Sequence, residues 1–234
     1  MSNEKIFVIS RQKCGTTSTG AFLRDHGITC LSPDGRTNRL WALLVQNNQF
    51  KTVFQDPLLD QYQAFEDNPW WMRGVPQKLL SEFPTAKFIL VKRDKNRWFD
   101  SLKSHWNESG GFTCVHSHEY ERTSDYFEYL NTNRGLMRNE HAFPITEEHR
   151  EHYCSIYETR YNEILAHFSE KRKEKQLFTS DLENPNLWVD MGRFLGLRVD
   201  ETYTAHQNKK EQRSKRKTKS FAKDLKWIIQ EHLK

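Results

Sequence analysis

Six residues near the N-terminus have types and spacing suited to binding an anion. They are Lys13, Gly15, Thr16, Thr17, Ser18 and Thr19, in the stretch RQKCGTTST. Glycine lets a ligand come close to the backbone, the hydroxyls add donors, and the lysine adds a full positive charge. The order differs from the triphosphate-binding pattern G-x-x-x-x-G-K-[ST], where the lysine follows the last glycine and a hydroxyl holds Mg²⁺. Here Lys13 precedes Gly15. A second set lies about 80 residues on, in KRDKNRWFDS: Arg93, able to grip a phosphate with two parallel hydrogen bonds, and Ser101. Eight positions separate them. A straight helix would hold them about two turns apart, too far for one phosphate, so a loop at Lys95 and Asn96 is expected to close the distance. Asp56, Glu66, Asp67 and His105 are the candidates to take a proton from a hydroxyl or amine. Asp67 also suits a turn before Pro69.

Regular elements must position these groups. KIFVIS, residues 5–10, is short, apolar and β-branched, and predicts a buried strand. Residues 18–27 predict a helix ended by Gly27. An anion-binding loop between strand and helix gains from the unpaired amides and partial positive charge of the helix start. A plain N-cap with a surface lysine beside it is the structural alternative. Residues 87–92 predict a second buried strand and residues 96–106 its helix, so a parallel sheet is expected. Helices are further expected at 39–49, 74–83, 147–175, 186–197 and 224–233, and a third strand at 176–182. Residues 51–56 read as a strand or irregular edge, and 63–71 and 107–119 as loop.

The 234 residues suit one domain, 1–234, since no Gly/Ser/Pro-rich linker interrupts the middle. The net charge of +5 is uneven: residues 205–234 carry ten Lys/Arg against three Asp/Glu, making that segment the basic part of the chain. Four scattered cysteines form no C-x-x-C pair, which argues against a zinc ribbon or a disulfide framework. No apolar run approaches the ~20 residues of a membrane span, and no signal segment is evident. A reduced, cytoplasmic protein is the expectation.

Together the two motifs resemble the sulfotransferases that use 3′-phosphoadenosine-5′-phosphosulfate (PAPS). FVISRQKCGTTS is similar to that family's strand, K-x-G-T-T-[SW] and helix, and KFILVKRDKNRWFDS to its strand followed by R-D-x₆-S. AFEDNPWW and LLSEFPTAKFIL resemble a subgroup pattern of A-F-x-D-x-P and then E-L-x-x-x-F-P-x-x-K-F-I-L. The resemblance is dense over residues 5–106 and loose over 176–211. It implies an α/β fold, three layers with a central parallel sheet and helix-rich insertions. It implies that Lys13, Cys14, Gly15, Thr16, Thr17 and Ser18 hold the 5′-phosphosulfate, with Lys13 at the bridging oxygen, and that Arg93 and Ser101 hold the 3′-phosphate. Asp67 matches the acidic position of the subgroup and is the expected base, with His105 next. No metal is expected. The acceptor would be an alcohol, phenol or sugar, with an amine less favoured; nucleic acid is not expected as a partner.

Two rival functions fit parts of the sequence. A nucleotide kinase or other P-loop phosphotransferase would need a lysine after the glycine and a Mg²⁺-holding acid. A non-catalytic protein binding polyanions would use the basic stretch NKKEQRSKRKTK, residues 208–219. CVHSH, residues 114–118, offers three metal-ligand types that would share one face of a strand, with no fourth ligand at a recognisable spacing. Trp70, Trp71, Trp98 and Trp106 read first as core aromatics, the alternative being a wall of the acceptor pocket or a stack on adenine.

Overall fold

The computed structural model describes residues 4–31, 36–109, 114–132 and 145–205. Within them the chain runs β1 (Ile6–Val8), α1 (Thr16–Asp25), β2 (Cys30–Leu31), α2 (Arg36–Gln46), α3 (Phe50–Phe54), α4 (Leu58–Gln61), β3 (Ala64–Phe65) and α5 (Val75–Glu82). It continues through β4 (Lys87–Lys92), α6 (Lys95–Ser109), α7 (Cys114–Glu119), α8 (Thr123–Thr132), α9 (Arg150–Glu170), β5 (Leu177–Asp181) and α10 (Leu187–Leu195). The five strands form one sheet in the order β2-β3-β1-β4-β5, with every pairing parallel.

Side chains of a strand alternate between faces, and β1 and β4 are apolar on both. Phe7, Phe88 and Leu90 pack with Trp41, Val53, Leu79 and Phe168, from α2, α3, α5 and α9. Ile6, Val8, Ile89 and Val91 pack on the other face with Phe22 and Leu23 of α1 and Leu187, Trp188 and Met191 of α10. Helices therefore cover both faces, the three-layer arrangement that a continuous apolar strand predicts. A third cluster joins Trp98, Phe99, Leu102 and Trp106 of α6 to Tyr153, Ile156 and Tyr157 of α9.

Three local expectations change. Residues 63–71 are not all loop: Ala64 and Phe65 form β3, paired on both sides, with Ile6 N–H also donating to Gln63 C=O at 2.9 Å. Two residues are too few for alternation to be visible, and only neighbouring strands make them a strand. Residues 51–56 are mainly the short helix α3, not an edge strand. The stretch from 107 to 119 carries the end of α6 and the whole of α7. The helix expected at 224–233 and the basic stretch 208–219 lie outside the described residues. No helix among those described is long and apolar enough to cross a membrane.

The strand order places the site. The chain leaves β1 toward the β2–β3 side and leaves β4 toward β5. Loops that diverge at such a switch point open a crevice over the carboxyl ends of the strands. The loops after β1 and β4 are the two that carry the sequence motifs.

Candidate functional site

A cleft of about 900 Å³ opens at this switch point. Lys13, Gly15, Thr16, Thr17, Ser18, Asp67, Arg93 and Ser101 all line it. Of the residues named from sequence as donor-binding, Cys14 alone is absent from the lining.

The loop after β1 is built from two left-handed residues. Lys13 has φ 69° and Gly15 has φ 77°. Glycine adopts this conformation without strain, whereas a lysine pays about 1–2 kcal/mol, so surrounding contacts must hold Lys13 there. Between the two, Cys14 turns inward. Its side chain is fully buried, its Sγ lies 3.4 Å from Tyr157 Oη, and its N–H donates to Arg11 C=O at 3.1 Å. Burial pushes its thiol up to about 12, so it is a packing group and not a nucleophile.

Gly15 also caps α1. The first helical bond runs from Thr19 N–H to Gly15 C=O at 2.8 Å. The amides of Thr16, Thr17 and Ser18 precede it, at the positive end of the helix, where an anion is favoured. A Cβ at Gly15 would come within 2.6 Å of Leu182 Cδ1, from the loop after β5. The left-handed backbone favours glycine here, and any side chain would also displace the tip of Leu182.

Aromatic groups hold the loop from beneath. Trp98 Nε1 donates to Gln12 C=O at 3.1 Å, and Gln12 Nε2 donates to Tyr120 Oη at 2.8 Å. Tyr157 stacks on Trp98 with ring centroids 4.3 Å apart. Its Oη accepts from Arg93 N–H at 2.8 Å and donates to Arg93 C=O at 3.0 Å. One phenol of α9 thus clamps the loop after β4 and touches Cys14 in the loop after β1. Arg11 is buried with its guanidinium between the rings of Trp71 and Tyr120, at 5.3 and 4.9 Å.

The loop expected at Lys95 and Asn96 does not exist. Asp94 Oδ1 accepts the N–H groups of Asn96 and Arg97, at 3.1 and 3.0 Å, and caps α6 so that the helix starts at Lys95. Arg93 still reaches the same cleft as Ser101 because it precedes the cap and is not bound to the helical spiral. Its Nε donates to Glu183 Oε1 at 3.3 Å.

The four base candidates separate cleanly. Asp56 is structural: its Oδ2 accepts from Trp41 Nε1 at 2.8 Å and its Oδ1 from Leu58 N–H at 2.9 Å. Glu66 is buried against α1, where a Cβ at Gly20 would lie 2.0 Å from Oε1. Burial pushes Glu66 up to about 7, against the pull of Arg24, whose Nη1 is 3.2 Å away. Neither lines the cleft. Asp67 and His105 do. Asp67 has φ 68° and lies two residues past β3. Burial raises its carboxyl above the usual range, opposed by the Asn68 N–H and by the charge of Lys13.

Several lining residues had no motif. Trp106 and His116 face the cleft with ring centroids 4.2 Å apart. His116, set aside as part of a metal pattern, lies on α7. Positions two apart on a helix point to different sides, so the shared strand face expected for 114, 116 and 118 is not formed. His116 is buried and His118 exposed. Burial, with His105 nearby, pushes His116 down to about 3, leaving the ring neutral. Among the described residues, no three His, Cys, Asp or Glu side chains gather as a metal-holding group. Leu182, Trp188 and Tyr203 line the cleft from the β5 side. Their one sequence signal is position: Leu182 follows a strand whose carboxyl end opens on a crevice. Trp70, Trp71 and Trp98 belong to the packed clusters, as read from the sequence.

Residues 5–213 match the family model described as a sulfotransferase domain. Among solved structures, a sulfotransferase from Alicyclobacillus acidocaldarius superposes with a TM-score of 0.54, covering 90% of this chain and 88% of that one. The two are 11% identical, a likeness of fold. No curated protein sequence matches the chain.

Proposed function

The chain belongs to the sulfotransferase-domain family, and from that premise we propose that it moves a sulfonate from PAPS to the hydroxyl of an alcohol, phenol or sugar. The observation that carries this reading is the convergence of Lys13, the start of α1, Arg93 and Ser101 on one cleft. The amides of residues 15–18 and the hydroxyls of Thr16 and Thr17 suit the 5′-phosphosulfate. Arg93 and Ser101 suit the 3′-phosphate that distinguishes this donor from ATP.

In the proposed step, the acceptor oxygen attacks sulfur in line while Asp67 takes its proton. The new O–S bond forms as the bond from sulfur to the bridging oxygen breaks. The electron pair leaves with the 5′-phosphate, giving a sulfate ester and 3′-phosphoadenosine-5′-phosphate. Lys13 stabilises the charge growing on that bridging oxygen, an effect concentrated in the transition state. The raised carboxyl of Asp67 fits its role, since an ordinary carboxylate is a weak base for a hydroxyl proton.

Calorimetric titration tests the donor. 3′-Phosphoadenosine-5′-phosphate is expected to bind wild type better than ATP with Mg²⁺, and Arg93→Ala to lose about tenfold or more of that affinity, the usual loss for a charged hydrogen bond. A preference for ATP with Mg²⁺ would favour a phosphotransferase and sink the proposal.

A further inference from the structure

Glu183 is an acid where a phosphate-binding cleft has least use for one. It lines the cleft beside Arg93, and its Oε1 accepts from Arg93 Nε at 3.3 Å and lies 3.9 Å from Arg97 Nη1. Resting on the donor reading above, we propose that Glu183 tempers the grip of Arg93 on the 3′-phosphate. Its carboxylate occupies Arg93 until a 3′-phosphate displaces it.

The backbone around Glu183 is pinned. Leu182 N–H donates to Lys92 C=O at 2.7 Å, extending the β4–β5 ladder by one residue. Asn184 N–H donates to Asp181 C=O at 3.0 Å, and Asn184 Nδ2 to Ser180 Oγ at 3.0 Å. The backbone of Arg93 is clamped by Tyr157 in turn. Two fixed backbones face each other, so the pair opens by side-chain rotation alone.

The pair is weak enough to open. Arg93 and Glu183 side chains are 27% and 37% exposed, and ion pairs in such settings contribute little. A nucleotide with a bare 3′-hydroxyl meets an arginine already neutralised and gains nothing from it. A 3′-phosphate brings more charge than a carboxylate and matches the guanidinium fork, so it competes successfully. Once it is bound, Glu183 stands beside a like charge, which weakens retention of the spent nucleotide. Glu183 thus lowers the affinity for the 3′-phosphorylated nucleotide and leaves that for nucleotides without the phosphate unchanged.

Titrations of 3′-phosphoadenosine-5′-phosphate and adenosine 5′-phosphate into wild type, Glu183→Gln, Arg93→Gln and the double variant test this. Glu183→Gln is expected to tighten the 3′-phosphorylated nucleotide about fivefold, the upper worth of an exposed ion pair. It should leave adenosine 5′-phosphate within about twofold, and the gain should vanish in the Arg93→Gln background. Unchanged or weaker binding, equal gains for both nucleotides, or a gain that survives Arg93→Gln would overturn the inference. If wild type shows no preference for the 3′-phosphorylated nucleotide, the donor reading falls by itself. Inorganic phosphate then decides the competition: a gain on Glu183→Gln that needs Arg93 supports it, and no gain ends it.

Discussion

The loops that leave the neighbouring strands β1 and β3 share one unusual feature. Each presents a charged, non-glycine residue in the left-handed region: Lys13 at φ 69° and Asp67 at φ 68°. Both line the cleft, close enough that the Lys13 charge bears on Asp67. Their supports differ. The β1 loop rests on directed bonds and stacked rings from α6 and α9, through Trp98 and Tyr157, and runs straight into a helix start. The β3 loop rests more on burial, with Glu66 packed against Gly20 on one side and Trp70 tilted against Phe65 on the other, beside a turn bond from Trp70 N–H to Asp67 C=O at 3.1 Å. The lesson concerns charge. Stabilising an anion needs fixed donors with satisfied supports, whereas a useful base needs a carboxylate that is poorly solvated.

The sharpest way to break this division is at Lys13. Lys13→Ala is expected to lower sulfonate transfer by about 10²–10³-fold, the usual loss of one transition-state charge partner. Circular dichroism should show the fold unchanged. Transfer at the wild-type rate would remove Lys13 from the mechanism.

Asp67→Asn tests the other loop, with an expected loss of about 10²-fold or more in turnover. A base acts when deprotonated, so the wild-type rate should rise with pH through a value above the normal carboxylate range. That limb should be missing in Asp67→Asn and kept in His105→Gln. The reverse pattern would transfer the role to His105.

The smallest expected effect is on stability. Glu66 titrates at about 7 in the fold, against the ordinary value of 4.5. The folded state therefore holds a proton that the unfolded chain releases, so this group favours folding below pH 4.5. That contribution falls away as pH rises to 7. The range corresponds to at most about 3 kcal/mol, reduced in practice by relaxation around the Arg24 pair. Glu66→Gln should flatten the decline in urea midpoint between pH 5 and 8 without changing turnover. An unaltered slope would mean that Glu66 is ionised throughout.

The proposed donor half was legible because its requirements are local. An apolar strand, a glycine, hydroxyls at a helix start and an arginine ending a second apolar strand are all consecutive-residue patterns, and the structure brings them to one cleft. The acceptor half was less so. Among Asp56, Glu66, Asp67 and His105 the subgroup pattern favours Asp67, and burial with hydrogen-bond partners sets Asp56 and Glu66 apart from the cleft. His116 illustrates the limit: i, i+2, i+4 suggested a strand face, but the segment is helical and His116 packs by Trp106. β3 was invisible because its strand character lies in two neighbours far away in sequence.

By itself, the sequence determined the α/β class and the two strand–loop–helix units that carry the motifs, because periodicity and backbone sterics act over a few residues. Tertiary structure alone decided that β1 and β4 stand side by side with their loops diverging. It also decided that Cys14 faces the core, that Glu66 is packed away while Asp67 is presented, and that Glu183 meets Arg93. Those outcomes depend on desolvation and on contacts between residues as much as 143 positions apart, which no local pattern records.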